Sequence, residues 1–338
     1  MGKINIAING FGRIGRNAFK IAFERSDINI VAINDLTDTK TLAYLLKHDS
    51  NYGDYKYEVS SNDEGIIVNQ QDIKVLAERN PADLPWKDLD IDIVIESTGR
   101  FTLKEDAQLH LDSGAKRVII SGPSKSEGVD TIVLGANEND IESSGPIISN
   151  ASCTTNSLGA VMAILEAEFG VEKSLLTTVH SYTASQAVQD APSKDLREGR
   201  SAAENIVPTT TGAAIAVTKI LPSLQGKFDG LSIRVPTPVV SISDITVLLS
   251  RPTSVDEINN LFIRSASQPF YQGILGVSDQ PLVSRDYIGN SYSGVVDLSL
   301  TKVVGGNLAK IMVWYDNEWG YSNRLIELLA DVGKTLDK

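Results

Sequence analysis

The sequence predicts an α/β protein of two domains: an N-terminal half on a buried parallel sheet, and a C-terminal α+β half whose sheet is mostly antiparallel. Three observations carry this. The chain has 338 residues, 42% of them hydrophobic, which is more than one core usually fills. Through the first half, short apolar runs alternate with helical patterns, as in strands joined by right-handed helical crossovers. Beyond Leu175 the runs lengthen and alternate apolar with polar residues, the pattern of a sheet with one face on a core.

In the first half the strand-like runs are 4–8, 28–33, 91–95, 117–120, 130–134 and 146–149. Helical patterns fall at 17–25, 39–47 and 103–111, and a polar, hairpin-like stretch runs from 55 to 75. In the second half, strands are expected at 175–182, 228–235, 239–250, 294–300 and 308–315, with helices at 155–168, 212–221 and 255–266. The boundary falls at 151/152, giving domains 1–151 and 152–318. A last helical pattern carries Leu325, Ile326, Leu328 and Leu329 on an apolar side; as helix 319–338 it is expected to pack back on the first domain. No internal repeat or low-complexity tract appears.

The net charge of −12 excludes the basic footprint that nucleic acid and anionic membranes need. No apolar run approaches the ~18–20 residues that span a bilayer. Gly2 invites a myristoylation reading, but Ile6 stands where Ser or Thr is wanted. One cysteine, Cys153, rules out an internal disulfide and suits a reducing compartment, so a cytoplasmic location is expected. With three histidines far apart, no metal site is expected. His48 and His110 lie in charged helical stretches and are expected to be solvated.

Gly10-Phe11-Gly12-Arg13-Ile14-Gly15 follows the first strand and opens the first helix. In a βαβ unit these glycines permit a tight turn, close approach of backbone to a pyrophosphate, and close helix–strand packing. The helix N-terminus then offers N–H groups and partial positive charge. Asp35 ends the second strand, where a carboxylate binds the ribose hydroxyls of NAD and repels a 2′-phosphate. The first domain is therefore expected to be a Rossmann-type dinucleotide-binding domain with NAD as cofactor. Arg13 reads either as a pyrophosphate contact or as a solvated arginine.

Ser149-Asn150-Ala151-Ser152-Cys153-Thr154 ends a strand and starts a helical pattern. A thiol at a helix N-terminus is favoured as thiolate. His180 lies in a separate strand; a cysteine with a distant histidine is one arrangement for an activated nucleophile. Spacing alone equally allows a buried apolar thiol and an unrelated histidine.

Asn9–Arg16 (NGFGRIGR), 96–99 (ESTG), 149–156 (SNASCTTN), 177–180 (TTVH), 208–213 (PTTTGA), 234–237 (RVPT) and 314–323 (WYDNEWGYSN) together resemble the glyceraldehyde-3-phosphate dehydrogenases, in order and nearly end to end. The resemblance implies oxidation of a sugar-phosphate aldehyde with NAD and inorganic phosphate, in a homotetramer with 183–205 at subunit contacts. It implies Cys153 as nucleophile and His180 as its activator and base. Gly10, Phe11, Gly12, Arg13, Ile14, Gly15, Asp35, Arg79, Ser97, Thr98 and Ser121 would hold the dinucleotide. Asn317 would orient the nicotinamide carboxamide, with Tyr321 near the ring. Thr183 and Arg234 would bind the phosphate of glyceraldehyde 3-phosphate. Ser152, Thr154, Thr211 and Gly212 would bind inorganic phosphate. Arg234 reads otherwise as a surface ion pair, and Thr209–Thr211 as a turn capping the following helix.

Some positions depart from the family pattern or refine it. Asp35 and Pro192 favour NAD, while the small Ala191 leaves room for some NADP use. Ser157 stands where many members carry a second cysteine, and Ser185 where an acidic residue or threonine is frequent. The nearest alternative is erythrose-4-phosphate dehydrogenase. A non-catalytic NAD-binding or surface-adhesion protein is the alternative of another class.

Overall fold

The structure is a computed structural model that describes residues 2–336. These residues form two compact units, one of 2–132, 139–151 and 322–336, the other of 133–138 and 152–321. Met1, Asp337 and Lys338, included in the expected domain limits, lie outside the described residues.

The first unit carries nine strands: β1 (Ile4–Asn9), β2 (Ile28–Asn34), β3 (Val59–Ser61), β4 (Gly65–Val68), β5 (Gln71–Leu76), β6 (Ile93–Glu96), β7 (Arg117–Ile120), β8 (Asp130–Thr131) and β9 (Ile147–Ser149). Their order in the sheet is β3-β4-β5-β2-β1-β6-β7-β9-β8. β5 through β8 along that order pair in parallel, and β3 and β4 add an antiparallel edge. Ile6, Ala7 and Ile8 of β1 are all buried, as are Ile93, Val94 and Ile95 of β6. Apolar residues on both faces are what a parallel sheet covered on both sides requires. Helices α1 (Arg13–Phe23), α2 (Thr39–Lys47) and α3 (Lys104–Asp112) connect the strands. The strand expected at 130–134 is only Asp130–Thr131.

His110 corrects the sequence reading: it is fully buried, not solvated. Trp86 Nε1–H donates to His110 Nδ1 at 3.0 Å, so the imidazole proton sits on Nε2, which donates to Glu96 Oε2 at 3.1 Å. Glu96 also accepts from Asn9 Nδ2, from the Thr98 N–H and from the Thr98 hydroxyl. An acidic side chain is tolerated at 1% exposure because four donors surround it.

The second unit contains β10 (Val171–Ser181), β11 (Val207–Thr210), β12 (Phe228–Val235), β13 (Ser241–Leu249), β14 (Leu275–Ser278), β15 (Gly294–Asp297), β16 (Lys302–Val304) and β17 (Leu308–Tyr315). The order is β11-β12-β10-β13-β17-β15-β14, with β16 also on β17. Most pairs are antiparallel, but β10 pairs β12 and β14 pairs β15 in parallel. β14 and β16 carry too little alternation to read from sequence. Parallel neighbours need a crossover, and α5 (Ala213–Ile220) lies between β10 and β12 in the chain. The remaining helices are α4 (Cys153–Phe169), α6 (Val255–Ala266) and α7 (Trp319–Lys334).

Two segments join a different unit from the one expected. Residues 133–138 belong with the second, because Val133 packs on Gly159 of α4 so closely that a Cβ there would lie 2.9 Å from Val133 Cγ1. Residues 319–321 also belong with the second, where Gly320 abuts the Tyr292 carbonyl; from Ser322 onward α7 belongs with the first, and Gly333 abuts Ile4.

β13 and β17 alternate buried and more exposed positions. One face of this sheet holds His180, Ile245 and Tyr315 in the core; the other presents half-exposed or exposed Leu175, Val179, Leu231, Ile242 and Met312.

Candidate active site

In the first unit, the glycine-rich turn and the end of β2 frame a cleft of about 560 Å³ lined by Gly10, Gly12, Asp35, Arg79, Ser97 and Thr98, among others. Its size suits part of a dinucleotide. Gly10 has φ +92°, and a Cβ there would fall 2.7 Å from the Thr98 nitrogen. A Cβ on Gly15 would lie 2.1 Å from the Gly10 carbonyl oxygen. Glycine is thus required for the turn and for helix packing. No side chain caps α1 at Gly12, so the helix end faces the cleft without a built-in acidic cap. Asp35 Oδ2 accepts from the Phe11 N–H at 2.8 Å, tying the second strand to the turn. These features fit the adenosine and pyrophosphate of NAD.

Not every predicted cofactor residue lines this cleft. Phe11 turns inward, edge-on to Phe19. Arg13 pairs with Asp49 at 2.7 Å and stacks over Tyr52, so its guanidinium is neither free in the cleft nor simply solvated. Ile14 and Gly15 lie within α1. Ser121 follows β7, and its N–H donates to the Glu96 carbonyl.

In the second unit, Ser152 caps α4: its hydroxyl accepts from the Thr155 N–H at 3.1 Å. Just before it Ala151 has φ +54°, a left-handed conformation that side chains other than glycine seldom adopt. This turn puts Cys153 at the first position of α4, in the positive end of the helix dipole. Cys153 Sγ lies 3.5 Å from His180 Nε2. His180 Nδ1 is 2.7 Å from the Ser181 carbonyl, which can only accept; the ring proton is therefore on Nδ1 and the Nε2 lone pair faces sulfur.

Tyr315, quoted in the sequence only as part of a motif, completes the pair. Its hydroxyl bonds Thr154 Oγ1 at 2.9 Å and Thr178 Oγ1 at 2.8 Å, and its ring stands edge-on to His180. It thereby ties the first turn of α4 to β10. No local pattern marks this role, because Thr154 and Tyr315 are 161 residues apart.

Arg234 is the register partner of His180 across the parallel β10/β12 pair. The ion-pair reading fails: no carboxylate lies within bridging distance among the described residues, and the buried Nε has no hydrogen-bond partner. Nη1 reaches only the Ser181 carbonyl, at 3.5 Å, and a guanidinium without a carboxylate partner is suited to an anion. Thr183 leaves the end of β10, where the Tyr182 N–H donates to the Thr237 carbonyl. Thr211 and Gly212 precede α5; the Thr211 hydroxyl accepts from the Ala213 N–H. The preceding Thr210 pairs with Leu231, three residues along β12 from Arg234, or roughly 10 Å. The strands thus hold the Thr211–Gly212 turn apart from Arg234. The Thr154 hydroxyl is engaged by Tyr315, and that of Ser152 by Thr155.

Asn317 Oδ1 accepts from Ser181 Oγ at 3.0 Å and Ser241 Oγ at 3.2 Å. Tyr321 is buried in the first turn of α7.

Burial pushes the Cys153 thiol up, against the pull of Arg234 and of the Thr154 hydrogen bonds. Burial first and Arg234 second push His180 down to about 3. Burial thus opposes charge on either group, and Nε2, with its lone pair toward sulfur, is the group within reach of the thiol proton.

A dinucleotide domain joined to an α+β domain with a thiol–imidazole pair defines an NAD-dependent dehydrogenase. Comparison with known proteins makes the assignment specific. "Glyceraldehyde 3-phosphate dehydrogenase, NAD binding domain" matches residues 4–104, and the corresponding C-terminal domain matches residues 152–317. The chain is 50% identical over 326 residues to glyceraldehyde-3-phosphate dehydrogenase 1 of Bacillus cereus, covering 96% of this chain and 97% of the relative. It is 52% identical over 337 residues to the Borreliella burgdorferi glyceraldehyde-3-phosphate dehydrogenase, covering 98% and 100%. The chain belongs to the glyceraldehyde 3-phosphate dehydrogenase family.

If the imidazole is what keeps sulfur reactive, His180→Asn should slow alkylation of Cys153 by iodoacetamide at pH 7 by about tenfold or more, since each unit of thiol pKa is a factor of ten in thiolate. The pH profile should move upward, the direction in which burial drives the thiol. An unchanged profile would show that His180 does not set the reactivity.

Proposed function

We propose that this chain oxidises D-glyceraldehyde 3-phosphate to 1,3-bisphosphoglycerate with NAD and inorganic phosphate, through a thioester on Cys153. The observation that carries this reading is the 3.5 Å approach of Cys153 Sγ to a lone pair on His180 Nε2. The family membership supplies the substrate class.

Bound NAD supplies the hydride acceptor for the aldehyde carbon. The other roles fall to the chain. Sulfur attacks the aldehyde carbon, and the thiol proton passes through Nε2 to the aldehyde oxygen, giving a hemithioacetal. Nε2 then takes the hydroxyl proton as this carbon is oxidised to the thioester, and the α4 N–H groups stabilise the developing oxyanion. An oxygen of inorganic phosphate bonds to the acyl carbon and the C–S bond breaks. Sulfur recovers the proton held at Nε2, and the proton shed by phosphate goes to water. Because the thioester keeps the acyl group activated, the product is an acyl phosphate rather than a carboxylate.

Arg234, with no carboxylate partner, and Thr183 anchor the phosphate of the substrate. Thr211 and Gly212, with Ser152 and Thr154, receive inorganic phosphate at a second place. The uncovered apolar face of the second sheet, with Leu175, Leu231 and Met312, supports self-association, and we read the protein as a homotetramer. The single thiol supports reading it as a protein of the reducing cytoplasm.

Cys153→Ser should lower phosphate-dependent NADH formation from glyceraldehyde 3-phosphate on the order of 10⁴-fold and leave NAD binding intact. Retained activity would contradict the thioester route, and faster turnover of erythrose 4-phosphate by the wild type would contradict the substrate. Light scattering should return the mass of four 36.5 kDa chains; a monomer would refute the assembly.

A further inference from the structure

Glu96 ends β6, next to Ser97 and Thr98 of the dinucleotide cleft, yet does not itself line the cleft. Its two carboxyl oxygens meet only donors. Oε1 accepts from the Thr98 N–H at 2.8 Å and from the Thr98 hydroxyl. Oε2 accepts from Asn9 Nδ2 at 2.5 Å and from His110 Nε2 at 3.1 Å. Thr98, expected from the sequence to contact the cofactor, thus turns its N–H and its hydroxyl proton inward. The Ser97 hydroxyl also turns inward, donating to the Gly10 carbonyl at 2.7 Å. Asn9 carries the tie onward: its Oδ1 accepts from Asn34 Nδ2 at 2.7 Å, and Asn34 Oδ1 accepts from the Glu78 N–H at 2.8 Å. Asn9, Asn34, Glu78 and Thr98 all line the cleft. One buried carboxyl group therefore links the ends of β1, β2 and β6 with Glu78, all within the first unit.

We propose that Glu96 is a positioning residue for the dinucleotide cleft and that His110 orients it: together they hold Thr98 against the Gly10 turn and so set cofactor affinity from behind the cleft wall. This rests on reading the cleft as the NAD site. The need for an acceptor at both oxygens carries the inference. Gln in place of Glu96 would put an NH₂ either against the Thr98 N–H or against the donors of Asn9 and His110. His110 cannot yield by moving its proton to Nδ1, because Trp86 Nε1–H already faces that nitrogen at 3.0 Å. Asn9 cannot turn its amide without setting its NH₂ against Asn34 Nδ2. A buried N–H would stay unmade, and the chain at Thr98 or Asn9 would shift to relieve it. The two walls pass so closely that a Cβ at Gly10 would fall 2.7 Å from the Thr98 nitrogen, so a shift of either reshapes the cleft. Where only a fraction of molecules keeps a binding site in shape, affinity falls by that fraction.

The test is calorimetric titration of the cofactor-free full-length protein with NAD and with ADP-ribose. Glu96→Gln should weaken both about tenfold or more, the scale of one buried hydrogen bond left unmade. His110→Phe, which removes a donor, should weaken both about fivefold. His110→Gln, which still offers an N–H to Glu96, should bind within about twofold of the wild type. The rate at which iodoacetamide alkylates Cys153, in the second unit, should be unchanged in every variant. A merely structural role would lower the melting temperature of Glu96→Gln and His110→Phe while both affinities stay at the wild-type value, and that result overturns the inference. So does a His110→Gln variant that binds no better than His110→Phe. Should Glu96→Gln fail to fold, the two His110 variants decide by the same comparison. If the wild type itself binds no NAD, the cofactor reading falls first and this inference with it; wild-type affinity in all three variants removes this inference alone.

Discussion

The contact between Cys153 Sγ and His180 Nε2 is the constraint on which the rest of the site depends. Neither group is suited to its task alone. Burial disfavours a lone thiolate and a lone imidazolium, so a charge on either requires the other within proton-transfer range. That range is set by two elements distant in sequence: the first turn of α4, delivered by the left-handed Ala151, and the C-terminal part of β10. Tyr315 bridges them through Thr154 and Thr178. Proximity of this kind accounts for much of what a covalent mechanism gains over reaction in solution.

Around that contact, the parallel pairing of β10 with β12 does several things at once. It sets Arg234 beside His180, which supplies an anion-seeking charge close to the reacting sulfur and depresses the imidazole further. A neutral histidine keeps its Nε2 lone pair open to a proton, while the lowered pKa makes it a weaker base that returns the proton readily. Ser181, at the end of the same strand, then fixes the tautomer through its carbonyl and the Asn317 amide through its hydroxyl. His180, Arg234 and Asn317 thus meet at one strand end.

Much of this was legible in the sequence where the signal is local. The glycine turn, Asp35 and the helices at Thr39–Lys47 and Val255–Ala266 follow from motifs and periodicity. What stayed hidden depends on contacts across long sequence separation. His110 sits in a helix with charged neighbours and looks solvated; its burial follows from Trp86 and Glu96, which no helical pattern reveals. Arg13 could not be assigned because Asp49, its partner, lies 36 residues away. Ser241 and Tyr315 show only the alternation of ordinary strands, and their roles arise from neighbours brought in by the fold. The parallel β10/β12 pair was masked by the antiparallel pattern around it.

The most direct measurement is the mass of the Cys153-containing peptide after the protein is mixed with NAD and glyceraldehyde 3-phosphate while inorganic phosphate is withheld. The peptide should gain the mass of one 3-phosphoglyceroyl group on Cys153 and lose it when phosphate is added, with acyl phosphate released. If NADH forms while Cys153 stays unmodified, or the acyl group appears on another side chain, sulfur is not the nucleophile and the mechanism built on its meeting with His180 is wrong.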